Sequence, residues 1–403
     1  MVAPSGSAGK KSTVADAGEQ RKTPPERGFS DKRLKGLEPS TFCMASRRSS
    51  QLSYSREVAE YILGGLRGSG RREERDRAQV GHLELLVAVA DEELHPRIRQ
   101  WVPDQVARRS ALREQSRWWV EVAASDLEYA RDYRAHQPQS GAAAELYLDR
   151  WLRAAPDLWV QAGPRYRSRD PEMPFVGIAG SSRPITEHDL LALRELAERE
   201  FPAFAPLYVV FWSAGPARGW AGTDADSRLV AGRLGALRAR EVPAQLSTRS
   251  LTDVPSAQYE RYVEMHARHA AANPSHLLHT RASSREDLLA SAGAGMLWDV
   301  EVDGTWAGMV AGRDDVASGM RGATVVELIL DPSFTGRGYG EHLSVLLARG
   351  VPQPDEQFLF GTIHADNLRA YRAAQRAGRE DVGGEVLVDT PRRCAGARLP
   401  GQG

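Results

Sequence analysis

The chain has 403 residues, and its 53 Lys+Arg balance 53 Asp+Glu to a formal net charge of zero. That balance speaks against broad nucleic-acid binding, no apolar run reaches the ~18 residues of a membrane span, and no apolar leader opens the chain. Cys43 and Cys394 are the only cysteines, too few for a disulfide framework or a cysteine metal site, so a reducing cytoplasm is the expected compartment.

The length suffices for two or three domains. Residues 1–56 are rich in Ser, Gly, Pro and basic side chains and hold every lysine of the chain (Lys10, Lys11, Lys22, Lys32, Lys35). Such a segment buries too little apolar surface to offset its ordering entropy, and a disordered basic tail is expected. Within it, Gly36-Leu37-Glu38-Pro39 through Gln51-Leu52-Ser53-Tyr54 resembles the conceptual translation of a bacterial tRNA gene read on the opposite strand. That likeness puts the true start downstream, at Met44 or beyond, and implies no tRNA binding.

Residues 57–168 read as a helical region, with the helical pattern running from Ser55 to about Asp157. Leu83, Leu85, Leu86 and Val89 open one helix, and Trp101, Trp118, Trp119, Trp151 and Trp159 read as core. A bundle or an interaction domain fits. His82, His95 and His136 are isolated and receive no role. Residues 169–245 read as a small α/β extension. Phe175–Ala179 and Leu207–Trp212 are strands, Thr186 caps a helix to Glu200 with Leu190, Leu191, Leu193 and Leu196 inside, and Ser227–Arg240 is a second helix.

Residues 246–398 read as the catalytic domain. A strand begins at Leu246, Tyr259–Ala272 is a helix, and Leu297–Val302, a turn at Asp303-Gly304 and Trp306–Ala311 form a hairpin. The apolar strand Val325–Leu330 is then stopped by Asp331-Pro332. Gly336, Gly338 and Gly340 follow, and a helix carries Leu343, Leu346 and Leu347 on one face. A strand, a glycine turn and a helix together make an anion site, because glycines let successive N–H groups close on an anion at the positive helix end. A phosphate loop is excluded, since the stretch has no Lys, and the glycine spacing does not fit a dinucleotide fingerprint. Phe358–Ile363 is the next strand, His364-Ala365-Asp366-Asn367 leads into a helix ending at Gly378, and Glu385–Val388 is a late strand.

Leu328-Ile329-Leu330-Asp331-Pro332 followed by Thr335-Gly336-Arg337-Gly338-Tyr339-Gly340 resembles the acetyl-CoA motif of the GNAT N-acetyltransferases, [QR]-x-x-G-x-[GA], with Thr at the first position. The resemblance covers residues 246–398. It implies an α/β (α+β) fold with a mixed, mostly antiparallel sheet flanked by helices, here preceded by the helical region. It also allows residues 169–245 to be a reduced lobe of the same kind. The activity implied is acetyl transfer from acetyl-CoA, as acyl-donor cosubstrate, to an amine. The acceptor is a small molecule or a peptide, no nucleic acid or membrane is involved, and a homodimer stays open.

By the same resemblance the cofactor arm lies between two splayed strands, against Leu328, Ile329 and Leu330 and the turn Thr335–Gly340. A backbone N–H near Leu328 or Ile329 serves the oxyanion. Asn367-x-x-Ala370 resembles the second family motif and flanks the arm. Glu327, an acid in an apolar strand, is the first candidate base, and burial there raises a carboxyl toward a useful range; a salt-bridged or edge-facing Glu is the plainer reading. His364 is the second candidate, against a structural His at a strand end. The family's thiolate acid falls on Ala374, so Tyr371 or water takes that role. His266, His269, His276 and His279 are spaced H-x-x-H…H-x-x-H, but Pro274 divides them and no Cys or acid sits at ligand spacing, so no metal is expected. With Glu264 they are expected to line the acceptor side. A non-catalytic acyl-CoA-binding protein and a two-lobed aminoacyl or peptidyl transferase are the alternatives.

Overall fold

The computed structural model describes residues 72–136, 141–167, 170–215, 220–273 and 280–391. The basic tail with its Gly36–Tyr54 stretch lies outside the described residues, as do Pro274, His276, His279 and Cys394. The strands are β1 Arg150–Ala155, β2 Leu158–Tyr166, β3 Pro174–Ser181, β4 Tyr208–Ser213, β5 Thr223–Arg233, β6 Leu246–Ser250, β7 Leu297–Val302, β8 Thr305–Ala317, β9 Met320–Leu330, β10 Phe358–His364 and β11 Glu380–Asp389. The α-helices are α1 Arg72–Glu92, α2 Pro96–Trp101, α3 Gln105–Trp118, α4 Leu127–His136, α5 Leu190–Glu200, α6 Leu234–Arg238, α7 Ser256–Ala272, α8 Arg285–Gly293, α9 Leu343–Gly350 and α10 Leu368–Arg376.

All eleven strands join one sheet, in the order β1-β2-β3-β4-β11-β5-β10-β9-β8-β7-β6. The fold is mixed α/β, with a mostly antiparallel sheet flanked by helices and preceded by a helical stretch. Only β3·β4 and β9·β10 pair in parallel among the described strands, and each pair is joined by a crossover through a helix, α5 or α9. Helices α1 to α4 add Val87, Ile98, Leu112 and Ala130 to a core shared with Val176, Val209, Leu229 and Phe360 of the strands. A second core lies under α6 and α9, and a third under α7 and α8.

Three local expectations change. Residues 150–166, read as the end of the helical region, form the hairpin β1–β2. Ser227–Arg240, read as a helix, is mostly strand, and only Leu234–Arg238 is helical. Leu229, Leu234 and Leu237 mimic a helical stripe, but Leu229, Val230 and Ala231 are buried between β10 and β11, whose pairing overrides the local pattern. Leu191 is 65% exposed, while Leu190, Leu193 and Leu196 are inside as expected.

The strand order has an internal repeat. β3 and β4 run together for only three residue pairs (Phe175–Gly177 with Tyr208–Val210), and β9 and β10 likewise for three (Gly322–Thr324 with Phe358–Phe360). Beyond that each partner turns to its other neighbour, so both pairs open into a cleft. One extra residue sits in each leading strand, Ala179 in β3 and Val326 in β9. The last strand of each half crosses over: β11 lies between β4 and β5, and β5 lies between β11 and β10.

Candidate active site

The extra residue in β9 decides where its acid points. Strand side chains alternate, so Val325 and Glu327 would share a face in a regular strand. Glu327 pairs with Ala311 and Val325 with Gly312, leaving Val326 unpaired. After that bulge Leu328 and Leu330 pack on the α9 side with Val325, while Ile329 packs under α7 and α8. Glu327 is thereby turned toward α7.

There it is buried, at 6% exposure. Tyr262 O–H donates to Glu327 Oε2, and His266 Nε2 stands 3.1 Å from the same oxygen. Leu328 N–H donates to Oε1 at 3.0 Å. Tyr262 and His266 are one turn apart on α7, on the face that covers β9. Ser283 N–H donates to the Tyr262 oxygen at 2.7 Å, which fixes the Tyr proton on Glu327. Burial, then the Glu327 charge, push the Tyr262 phenol well above its usual range. One turn further, His269 Nε2 lies 2.6 Å from Leu330 O, and Arg268 pairs with Asp331. Burial pushes the Asp331 carboxyl up, but Ser333 and Arg268 outweigh it and hold the group below its usual range. Among the described residues no group of three metal-ligating side chains converges.

Leu328, Ile329 and Leu330 form the β9 wall of the cleft, and Gly361 to His364 form the β10 wall. Beyond Leu330, Asp331 caps a short turn and Thr335 Oγ1 bonds Pro332 O at 2.8 Å. Gly336 and Gly338 take φ of 77° and 85°, which only glycine adopts without strain, and no atom lies within 4 Å of a Cβ added at either. Tyr339 to His342 make one 3₁₀ turn, and α9 follows without a break. The turn therefore offers bare backbone at the head of α9, next to the cleft, and its residues suit an anion such as a diphosphate. Arg337 stacks over the Phe334 ring at 5.4 Å, and Tyr339 packs partly into the core under α9.

Asn367 caps α10, its side chain accepting from Ala370 N–H at 3.2 Å. His364 ends β10 with its Nδ1 accepting from Asp366 N–H at 3.2 Å and its Nε2 3.9 Å from Asp226. Tyr371 donates to Asp381 Oδ2 at 2.8 Å, and burial with that carboxylate pushes the phenol up to about 12. Ala374 is buried. The structure thus brings Glu327 together with Tyr262 and His266, and directs Tyr371 to β11. Sequence reasoning weighed His266 as a metal ligand and as part of the acceptor side, not as a partner of Glu327, and passed over Tyr262. The i,i+4 spacing of Tyr262 and His266, on a helix able to face a strand acid, was the available signal.

No family model matches the chain, and no curated protein matches it. Among solved structures it is similar to a GCN5-related N-acetyltransferase from Sphaerobacter thermophilus at 17% identity and a TM-score of 0.37, over 66% of this chain and 93% of that one. It is similar to a GCN5-related N-acetyltransferase from Kribbella flavida at 16% identity and a TM-score of 0.36, over 64% of this chain and 95% of that one. A tandem GNAT protein from the clavulanic acid biosynthesis pathway is similar at 13% identity and a TM-score of 0.33, over 66% of this chain and 97% of that one.

Proposed function

We propose that the chain is an acyl-CoA-dependent N-acyltransferase, moving an acetyl group from acetyl-CoA to the amine of a small molecule or peptide in the cytoplasm. The observation that carries this reading is the bulged β9, which sets a buried carboxylate beside a cleft that ends on a bare glycine turn. The cleft between β9 and β10 takes the pantetheine arm, and the N–H groups of Gly336 to Gly340 take the diphosphate. Glu327 takes the proton from the ammonium form of the acceptor. The neutral amine then attacks the thioester carbonyl carbon, its nitrogen gives up a second proton to water as the C–S bond breaks, and the electron pair of that bond leaves on sulfur. Tyr262 and His266 act through Glu327 as positioning residues. Because Tyr371 is committed to Asp381, water supplies the proton to the thiolate. A non-catalytic acyl-CoA binder is the second reading, favoured by Leu328 N–H already serving Glu327.

Thiol release over a panel of amines, with CoA affinity from calorimetry, tests this. Gly338→Val places a branched side chain at a positive φ where the diphosphate approaches, and CoA affinity falls severely. Glu327→Gln keeps CoA affinity but lowers turnover by roughly 10²-fold at neutral pH, with partial recovery as pH rises and more amine is already neutral. Unchanged CoA affinity in Gly338→Val overturns the cofactor site; full turnover in Glu327→Gln overturns the base. Absence of thiol release with every amine, alongside CoA binding, favours the second reading.

A further inference from the structure

The repeat in the sheet points to a second site in the first half of the chain. α1 covers the bulged end of β3 as α7 covers the bulged end of β9. The residue after the bulge is Glu327 in β9 and Gly180 in β3, where a Cβ would stand 2.1 Å from Leu86 Cδ2. The strand acid is missing from β3, and an acid from the turn after α1 lines the cavity beside it. Glu93, just past α1, is 1% exposed, and its Oε1 has no hydrogen-bond partner. It faces a cavity of ≈ 30 Å³, bounded by Leu86, Val89, Ser116, Trp119 and Ser181. Trp119 opens a single π-helical turn, Trp119–Ala123, and Gln161 Nε2 holds its carbonyl at 2.8 Å; such turns concentrate at functional sites.

We propose that this cavity binds the ammonium group of a small primary amine against the Glu93 carboxylate, independently of any acyl transfer. The Glu93 carboxylate and the Ser116 and Ser181 hydroxyls that line the cavity accept from N–H donors, so a primary ammonium head is held and a quaternary one, which has none, is not. The charged groups acting on Glu93 are Glu92 and Arg183, and Arg183 is already held by Asp157 and Asp189. Burial pushes the Glu93 carboxyl well above its usual range, and a bound cation draws it back toward the ionised form. The carboxylate accepts hydrogen bonds from the ammonium, with the Ser116 and Ser181 hydroxyls lining the same cavity as further acceptors.

Methylammonium chloride is titrated into the full chain by calorimetry at several pH values. The expected result is saturable binding that tightens as pH rises and the carboxyl ionises, and no binding of tetramethylammonium or sodium. Glu93→Gln weakens methylammonium binding at least about tenfold and flattens that pH dependence. Ala90 also lines the cavity, and Ala90→Leu, which narrows it without altering the carboxyl, also removes binding and keeps the test decisive if Glu93→Gln does not fold. No binding by the wild type, equal binding of tetramethylammonium or sodium, or unchanged binding in Glu93→Gln overturns the proposal.

Discussion

Replacing Tyr262 by Phe tests how the β9 acid is held. The hydroxyl joins three elements: it donates to Glu327 on β9, sits on α7, and accepts from Ser283 N–H ahead of α8. Tyr262 is fully buried, so water does not replace the lost partner of Glu327. A bond to a charged acceptor contributes about 1.5–3 kcal/mol, and stranding the Ser283 donor adds to that; a total cost of about 2–4 kcal/mol follows. Urea unfolding of the full chain reads this directly. In a double-mutant cycle with Glu327→Gln, the coupling is about 1–2 kcal/mol, because Gln keeps an acceptor but not the charge. The pH dependence has a definite sign. The folded phenol is held above its unfolded value, so its contribution is complete below pH ~10 and is lost as pH rises further. Tyr262→Phe therefore flattens the alkaline limb of the stability curve. A cost below about 0.5 kcal/mol with an unchanged alkaline limb would falsify the bridging role.

Two further tests probe the frame around the clefts. Gly322→Ala puts a Cβ 1.9 Å from Phe358 O, at the first pair joining β9 to β10; backbone meets backbone, so a loss of about 3 kcal/mol in chemical unfolding is expected, and a neutral variant would show that this pairing is not tight. Asp149 and Arg165 form an ion pair at 2.7 Å with side chains 0% and 4% exposed. Asp149→Ala removes the buried guanidinium's charged partner and costs about 3–5 kcal/mol, whereas Asp149→Leu with Arg165→Met regains most of it. Equal losses in the single and double variants would contradict that account.

The parts of the site made by neighbouring residues were legible in the sequence. Val325–Leu330, the Asp331-Pro332 stop and the three glycines act within about fifteen residues, and the positive φ of Gly336 and Gly338 is what such a turn demands. The hairpin at Asp303-Gly304 was equally local, with both residues at positive φ. What escaped depends on partners far along the chain. The Val326 bulge is visible only once β8 is beside it, and without it Glu327 would face α9. Tyr262 meets that acid across 65 residues. β5 was misread because the strands that bury it, β10 and β11, begin at Phe358 and Glu380, while its own leucines fall at helical spacing.

The crossed strands also constrain the order in which the protein is made. The first half of the sheet leaves β4 with one edge open until β11 arrives, and β11 is the last in chain order of the described strands. Roughly 150 residues separate the end of β5 from the start of β11, about 7–30 s of synthesis at typical elongation rates. During that interval the edges of β4 and β5 carry unpaired N–H and C=O groups, exposed to any other extended segment. Neither half completes its sheet from its own sequence. Cooperative folding therefore waits on the synthesis of β11, and a ribosome that stalls before Glu380 leaves two incomplete sheets.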